Sequence, residues 1–195
     1  VELADVFAAS HREIVRWITD GLADGLRVDH PDGLSDPGGY LENLADATGG
    51  AHVLVEKILE PGEALPDWWR TDGTTGYDAL GEIDRVLIDP AGVAALDALD
   101  SRLRADTGLP EAESWHDLTH TTKRMIAETI LQSEVRRLVR SLPFGIVDAD
   151  DALTEIVACF PLYRPYLPAG REHLDRALAE ASRRRPDLAG PIAEL

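Results

Sequence analysis

Two acidic residues, Asp29 and Glu56, end two short apolar segments of the chain. Residues 25–29 (GLRVD) and 52–56 (HVLVE) are bounded by glycine and turn-forming residues, a pattern that predicts buried strands. If these strands are parallel neighbours, both carboxylates lie at the carboxyl edge of one sheet, where α/β folds bind ligands. Two carboxylates about 5 Å apart can break a glycosidic bond with retention, because one attacks the anomeric carbon while the other protonates the leaving oxygen. Arg27 shares a strand face with Asp29 and would keep Asp29 ionised.

The elements that must position this pair are a helix, a strand, a helix and a strand. Ser10 and Glu13 have the spacing of a capping box, and apolar residues follow at helical steps until Gly21. A second helix is predicted over residues 40–47, between the two strands. Because this order is typical of a parallel βαβ unit, we expect the strands to be parallel and adjacent. Carboxylates at strand ends also cap helices and stabilise loops, so placement alone leaves catalytic and structural roles both open.

The rest of the chain is predicted to be helical. From Tyr77 onward the strand pattern disappears, and helices are predicted over residues 77–87, 91–106, 113–141, 149–159 and 169–185. We therefore divide the chain into a strand-containing segment, residues 1–70, and a helical segment, residues 71–195. The turn-rich join carries Trp68 and Trp69, which would either stack on a sugar or bury their faces at the junction.

Composition narrows the classes of partner. The 195 residues include 19 Lys and Arg but 36 Asp and Glu, a formal net charge of −17. Nucleic acids and anionic membranes draw their affinity from clustered cations, so we expect neither as a partner. Cys159 is the single cysteine, which excludes an internal disulfide and fits a reducing compartment, so a cytoplasmic location is expected. No stretch approaches the roughly 20 apolar residues that a membrane span needs.

Four segments together resemble a known family. Residues 25–34 (GLRVDHPDGL) and 55–59 (VEKIL) resemble the fourth-strand and fifth-strand motifs of the α-amylase superfamily, glycoside hydrolase family 13. With residues 73–78 (GTTGYD) and 158–164 (ACFPLYR), they resemble the branch of that superfamily that rearranges maltooligosaccharides into trehalose-ended products. Four motifs in matching order are far more specific than any one of them.

This resemblance implies a fold, a reaction and a set of site residues. The fold would be α/β, a partial (β/α)8 barrel segment holding strands four and five, followed by a mostly α-helical insertion. The reaction would be an intramolecular transglycosylation that converts the reducing-end α-1,4 bond of a maltooligosaccharide into an α,α-1,1 bond. The implied catalytic residues are Asp29 as nucleophile and Glu56 as acid/base, with Arg27 as the partner of Asp29; the implied substrate-binding residues are Arg27, His30, Lys57 and Tyr77.

The match to the superfamily is incomplete. A third carboxylate preceded by His, and an earlier strand bearing His and Asp, find no counterpart; His116-Asp117 has the right dipeptide but lies in a predicted helix. An eight-stranded barrel needs about 250 residues, so we expect the remainder of the barrel polypeptide as a partner and no activity from this chain alone. No metal, nucleotide or flavin motif appears, so no cofactor is implied.

Three other interpretations stay open. His116 and His120 share a helix face, and with Glu134 they superficially resemble a zinc site, although Asp117 replaces the Glu of the HExxH motif. A helical scaffold that presents its acidic surface to a basic partner is a non-enzymatic alternative. Its arginines would form an anion site or serve as helix-end charges: Arg136, Arg137, Arg140 and residues 183–185. Another α-glucan hydrolase of the same superfamily is the third.

Overall fold

The computed structural model describes residues 1–195, which form two compact units, Val1–Pro90 and Ala91–Leu195. The first unit therefore extends beyond the boundary predicted at residue 70 and includes a strand and a helix that the prediction assigned to the second. Its elements in order are α1 (Ala4–Thr19), β1 (Gly25–Val28), a 3-10 turn (Pro31–Gly33), α2 (Pro37–Thr48), β2 (His52–Val55), β3 (Gly73–Thr74) and α3 (Tyr77–Leu87).

The three strands form one parallel sheet in the order β1-β2-β3. The predicted βαβ unit is confirmed, because α2 joins β1 to its parallel neighbour β2. β3 was not predicted, since two residues in a turn-rich stretch have no periodicity to read. Its place is fixed by backbone hydrogen bonds to β2: Asp72 N–H donates to Val53 C=O at 2.8 Å, and Thr75 N–H donates to Val55 C=O at 3.0 Å.

The first helix begins earlier than the capping-box pattern predicts. α1 starts at Ala4, and the Ser10 hydroxyl lies within the helix, donating to the carbonyl of Val6 at 2.8 Å. The cap assigned to Ser10 was therefore wrong. The predicted second helix begins at Pro37, where the Asp36 carboxylate accepts from the Gly39 N–H at 2.9 Å, and it ends at Gly49 in the left-handed conformation with φ 68°.

Apart from one isolated β-bridge between Tyr166 and Ala169, the regular secondary structure of the second unit is helical and is built around α7. Its helices are α4 (Val93–Thr107), α5 (Trp115–Glu128), α6 (Gln132–Arg140), α7 (Ala149–Cys159), α8 (Arg171–Arg184) and α9 (Ala189–Glu194). α7 packs against α5, α6, α8 and α9. The core is made of small and branched residues from α7, α8 and the C-terminal turns: Ala152, Ile156, Ala177, Ala181, Leu188 and Ile192. No helix in the structure has the length and apolar character that a membrane crossing requires.

The long helix predicted over residues 113–141 is two helices. The break falls at residues 129–131, where Thr129 leaves helical geometry with φ −116° and ψ −83°. A straight helix of that length would be about 43 Å long, whereas the 11 residues of α7 span about 16 Å. Bending the chain lets both α5 and α6 pack against α7, which the sequence periodicity alone did not reveal.

The three consecutive arginines of the second unit are engaged with carboxylates. Arg183 and Arg184 both bond Glu180 at 2.6 Å, and Arg185 bonds Asp187 at 2.6 Å. Arg184 also reaches Asp117 on α5, at 2.9 Å. Because these contacts match their charge, these three arginines are helix-supporting charges and not part of an anion site.

Acid is expected to weaken the second unit through Glu180. Hydrogen bonds from Arg183, then from Arg184 and His116, lower the pKa of Glu180 to about 2. A carboxyl whose pKa is lower in the folded state stabilises the fold above its unfolded pKa of about 4.5, and this stability is lost as the pH falls toward 2. Partial solvent screening leaves a contribution of about 1 kcal/mol.

Between pH 5 and pH 2.5 the free energy of unfolding should therefore fall by about 1 kcal/mol less in Glu180→Gln than in the wild-type chain. Urea unfolding at the two pH values would measure this difference. The exposed Glu111 provides the matched control, and Glu111→Gln should follow the wild-type curve. If acid lowered the stability of Glu180→Gln and of the wild-type chain by the same amount, Glu180 would not be the source of the acid sensitivity.

Candidate active site

Asp29 and Glu56 stand next to each other at the carboxyl edge of the sheet. They directly follow β1 and β2, whose last residues, Val28 and Val55, are register partners. The Glu56 N–H donates to the Val28 carbonyl at 2.7 Å, which extends the strand ladder past Val55. Adjacent strands are about 4.8 Å apart, so the structure brings the two predicted catalytic residues together.

Burial separates the two faces of this sheet. Val53, Val55 and Lys57 are buried, whereas the residues between them, Leu54 and Glu56, are only partly covered. This two-residue alternation continues one step beyond the end of β2. Glu56 therefore belongs to the more open face, and Lys57 belongs to the buried one.

Arg27 and Asp29 are paired on the open side, as the sequence predicts. The guanidinium Nη1 donates to Asp29 Oδ1 at 2.7 Å, and the two side chains are 52% and 73% exposed. An ion pair this exposed adds little to the stability of the fold. Its effect is to hold the Asp29 carboxylate in one orientation at the end of β1.

His30 contacts Glu56 through its backbone. Its φ of 44° and ψ of 55° place it in the left-handed region, which non-glycine residues seldom occupy. In this conformation its N–H donates to Glu56 Oε2 at 3.2 Å. The His30 side chain is exposed, as a substrate ligand would be, but the backbone contact was not predicted from the sequence.

Lys57 is placed differently from its predicted role. Its side chain is fully enclosed, and its ammonium lies 2.7 Å from Glu63 Oε1 and 3.3 Å from Asp32 Oδ2. An enclosed ammonium cannot present its charge to a ligand in the open edge of the sheet. This corrects the predicted contact with substrate: Lys57 binds the two loops that leave the strands.

Exposed aromatic rings occur in the same unit. Tyr77 is the first residue of α3, three residues after β3, and its side chain is exposed. Trp68 and Trp69, which neighbour each other in sequence, differ in burial: Trp69 is buried and Trp68 is half-exposed. A Cβ at Gly38 would lie 3.2 Å from the Trp68 indole nitrogen, so Gly38 lets that ring approach the start of α2. Tyr77 and Trp68 thus offer exposed ring surface, as the substrate-binding role that the resemblance implies for Tyr77 would require.

The zinc interpretation of the second unit is corrected by the contacts of its residues. His116 approaches Glu180 at 3.4 Å, His120 bonds Glu155 at 2.8 Å, and Glu134 pairs with Arg137 at 2.8 Å. A different group, His120, Glu155 and Cys159, has ligand atoms within 4.8 Å of one another. Its carboxylate, however, also accepts from Arg124 at 2.5 Å, so a bound cation would face this guanidinium.

Cys159 is expected to react slowly. Burial, followed by the neighbouring Glu155 carboxylate, raises the pKa of this thiol to about 12. The thiolate is the reactive form, so at pH 8 we expect alkylation by iodoacetamide to be at least about 100-fold slower than for free cysteine. Mass spectrometry would follow the rate, and 8 M urea, which exposes the thiol, should restore it. A rate in the folded chain within tenfold of free cysteine would contradict the prediction.

The fold and the candidate site together define a class of protein. Parallel strands joined by a helix, with carboxylates side by side at their carboxyl edge, make this an α/β segment with a candidate sugar-processing site. A mostly helical unit follows it in the chain, so the predicted fold class is confirmed at that level.

Comparison with known proteins identifies the relatives. No protein-family profile matches the chain. The chain is 50% identical to the solved maltooligosyltrehalose synthase of Arthrobacter ramosus, with a TM-score of 0.88 over 97% of this chain and 24% of that one. It is 42% identical over 190 residues to a Mycobacterium tuberculosis protein whose assigned name is maltooligosyl trehalose synthase, covering 94% of this chain and 24% of that protein. A solved glycosyltrehalose synthase is 31% identical, with a TM-score of 0.78 over 98% and 26% of the two chains.

The chain therefore matches one segment of the maltooligosyl trehalose synthases, and it spans about a quarter of their length. The resemblance stated from the four sequence motifs is confirmed by the identity and the fold of these relatives.

Proposed function

We propose that this chain supplies the nucleophile and the acid/base of a maltooligosyl trehalose synthase. The observation that carries the proposal is the side-by-side placement of Asp29 and Glu56, in register at the carboxyl edge of two parallel strands. Each carboxylate is held by a contact that would orient it, from Arg27 to Asp29 and from the His30 N–H to Glu56. β1 and β2 would be strands four and five of a (β/α)8 barrel.

The first step breaks the α-1,4 bond at the reducing end. Glu56 in its protonated form donates its proton to the glycosidic oxygen while an Asp29 oxygen attacks the anomeric carbon. The bond between that carbon and the glycosidic oxygen breaks, and a bond to Asp29 forms. The products are a glycosyl ester on Asp29, the Glu56 carboxylate and one free glucose.

The second step joins the same glucose back in a new linkage. The glucose turns within the site and presents its anomeric hydroxyl to the glycosyl ester. Glu56 takes the proton of that hydroxyl while the hydroxyl oxygen attacks the anomeric carbon of the glycosyl ester. The bond from that carbon to Asp29 then breaks. Two inversions retain the α configuration at the carbon that was bound to Asp29, and the glucose reacts as its α anomer, so the product is α,α-1,1-linked.

Water competes with glucose in the second step. Attack by water on the glycosyl ester gives hydrolysis, so the synthase reaction needs a covered site. In this chain the Asp29 side chain is largely exposed, and two of eight strands cannot enclose a substrate. We therefore propose that the chain is inactive alone and that the rest of a barrel covers the open face.

A chimeric enzyme tests this function. The segment of the Arthrobacter ramosus enzyme that matches this chain would be replaced by residues 1–195, and the purified chimera would be given maltohexaose. We expect loss of reducing ends and a trehalose-ended product of unchanged mass, whereas the 195-residue chain alone should give neither. A folded chimera that leaves maltohexaose unchanged would refute the proposal, and one that only releases glucose would favour the α-glucan hydrolase alternative.

A further inference from the structure

The strongest unexplained feature of the first unit is a buried ionic cluster beneath the candidate site. The Lys57 ammonium contacts Glu63 at 2.7 Å and Asp32 at 3.3 Å, and the three side chains are 0%, 6% and 7% exposed. Burying an ammonium is costly unless it is paired and hydrogen-bonded, and removing one partner leaves an uncompensated charge. A cluster of this kind resists separation of its members, so it fixes the segments that carry them.

The members of the cluster come from both loops that hold the catalytic pair. Asp32 lies in the 3-10 turn Pro31–Gly33, which begins two residues after Asp29. Lys57 directly follows Glu56, and Glu63 lies further along the loop after β2. The Glu63 carboxylate also accepts from the Glu60 N–H at 2.9 Å, which ties that loop to itself.

The cluster therefore lies on the face opposite to Glu56 and holds the loop after β1 to the loop after β2. Glu56 shares a peptide unit with Lys57, so a shift of the Lys57 backbone moves Glu56 with it. From the other loop, the His30 N–H reaches Glu56 Oε2, and His30 is two residues from Asp32. Both ends of the contact between His30 and Glu56 are thus anchored by the same three side chains.

We propose that Lys57 is a positioning residue that, through Asp32 and Glu63, sets the distance and orientation of Glu56 relative to Asp29. This inference rests on the proposed function, because it assigns the cluster to the geometry of that reaction. Lys57 acts through the backbone and makes no contact with substrate. Loosening the cluster would let the two carboxylates drift apart and admit water to the glycosyl ester.

The test uses the chimera with Lys57→Met, Asp32→Asn and Glu63→Gln. Met fills the space of the lysine stem without its charge, while Asn and Gln keep an oxygen that can accept from the ammonium. We expect kcat for Lys57→Met to fall about 10- to 100-fold, since a displacement near 1 Å can cost this much, with little change in KM. A larger share of turnovers should end in hydrolysis. Asp32→Asn and Glu63→Gln should show smaller changes in the same direction.

Arg70→Met is the matched control, because the pair of Arg70 and Glu42 in the same unit spans 3.2 Å but is half-exposed on both sides. It should leave kcat and the product ratio unchanged. Hydrogen exchange gives a readout that does not depend on turnover: the His30 amide should exchange faster in Lys57→Met and in Asp32→Asn than in Arg70→Met. If Lys57→Met fails to fold, the two isosteric variants carry the test.

The outcomes separate the two proposals. An inactive wild-type chimera would overturn the proposed function. An active chimera in which folded Lys57→Met or Asp32→Asn keeps the wild-type kcat, product ratio and His30 exchange would overturn the positioning role. A raised KM with unchanged kcat would also overturn it, because this is the signature of a residue that binds substrate directly.

Discussion

Asp29→Asn in the chimera is expected to lower turnover of maltohexaose by at least about a thousandfold. The amide is close in size to the carboxylate but is a far weaker nucleophile, so the glycosyl ester does not form. The affinity for substrate should change little, because the substitution alters charge and not shape. Single-turnover kinetics would show the loss in the first step, before glucose is released.

Glu56→Gln should lower turnover by about 10²- to 10⁴-fold, the range for loss of a general acid/base. The exposed Asp46 on α2 supplies the control, and Asp46→Asn should retain wild-type turnover. Rescue by azide would test directly whether Asp29 is the nucleophile. A small anion can occupy the space that Asp29→Gly leaves and attack the anomeric carbon in place of the carboxylate. A β-glycosyl azide from Asp29→Gly would support its role as nucleophile. Turnover above a tenth of wild type in Asp29→Asn or Glu56→Gln would contradict the assignment.

Arg124→Met is expected to destabilise the second unit by about 3–5 kcal/mol. Arg124 spans from α5 to α7, where it bonds Glu155 at 2.5 Å and also contacts Asp151. The Glu155 side chain is 1% exposed, so removal of the guanidinium leaves a buried carboxylate whose remaining contacts are the His120 ring at 2.8 Å and the Cys159 thiol at 3.7 Å. Urea unfolding of the 195-residue chain, followed by circular dichroism, would measure the loss.

Two further variants separate a buried charge from lost packing. Arg124→Met with Glu155→Leu removes both charges and should recover most of the stability, because an apolar pair can replace a buried ion pair. Arg137→Met breaks the exposed pair with Glu134 and should change stability by less than about 1 kcal/mol. Equal losses in Arg124→Met and Arg137→Met would show that the buried position of Glu155 carries no special cost.

The local sequence pattern predicted those helices and strands whose apolar spacing and bounding residues all lie within a short stretch of the chain. The predicted bounds of α3 and α7 coincide with Tyr77–Leu87 and Ala149–Cys159. β1 and β2 were also recognised, because each is a short apolar run between turn residues. The helix between them then required a parallel pairing, and this placed Asp29 and Glu56 at one edge.

Most of the expectations that failed depended on contacts between distant residues, whereas the cap at Ser10 failed within its own helix. Ser10 has the sequence of a helix cap, but the helix already begins at Ala4, and the Ser10 hydroxyl bonds the Val6 carbonyl within it. The apolar spacing runs unbroken from α5 through α6, yet packing on the short α7 bends the chain. β3 exists only because β2 offers an unpaired edge, so two residues without a strand pattern become a strand.

The sequence by itself determined the candidate chemistry: two carboxylates, their strands, the arginine beside one of them, and the likeness to a family that uses such a pair. The tertiary structure decided how that pair is held. Alternation along β2 turns Lys57 to the buried face, where Asp32 and Glu63 from two separate loops meet it, and the left-handed backbone of His30 aims its N–H at Glu56. Residue type and spacing fix which groups a strand end presents, but burial and the pairing of charges across loops arise only when the chain has folded, because the partners are distant in sequence.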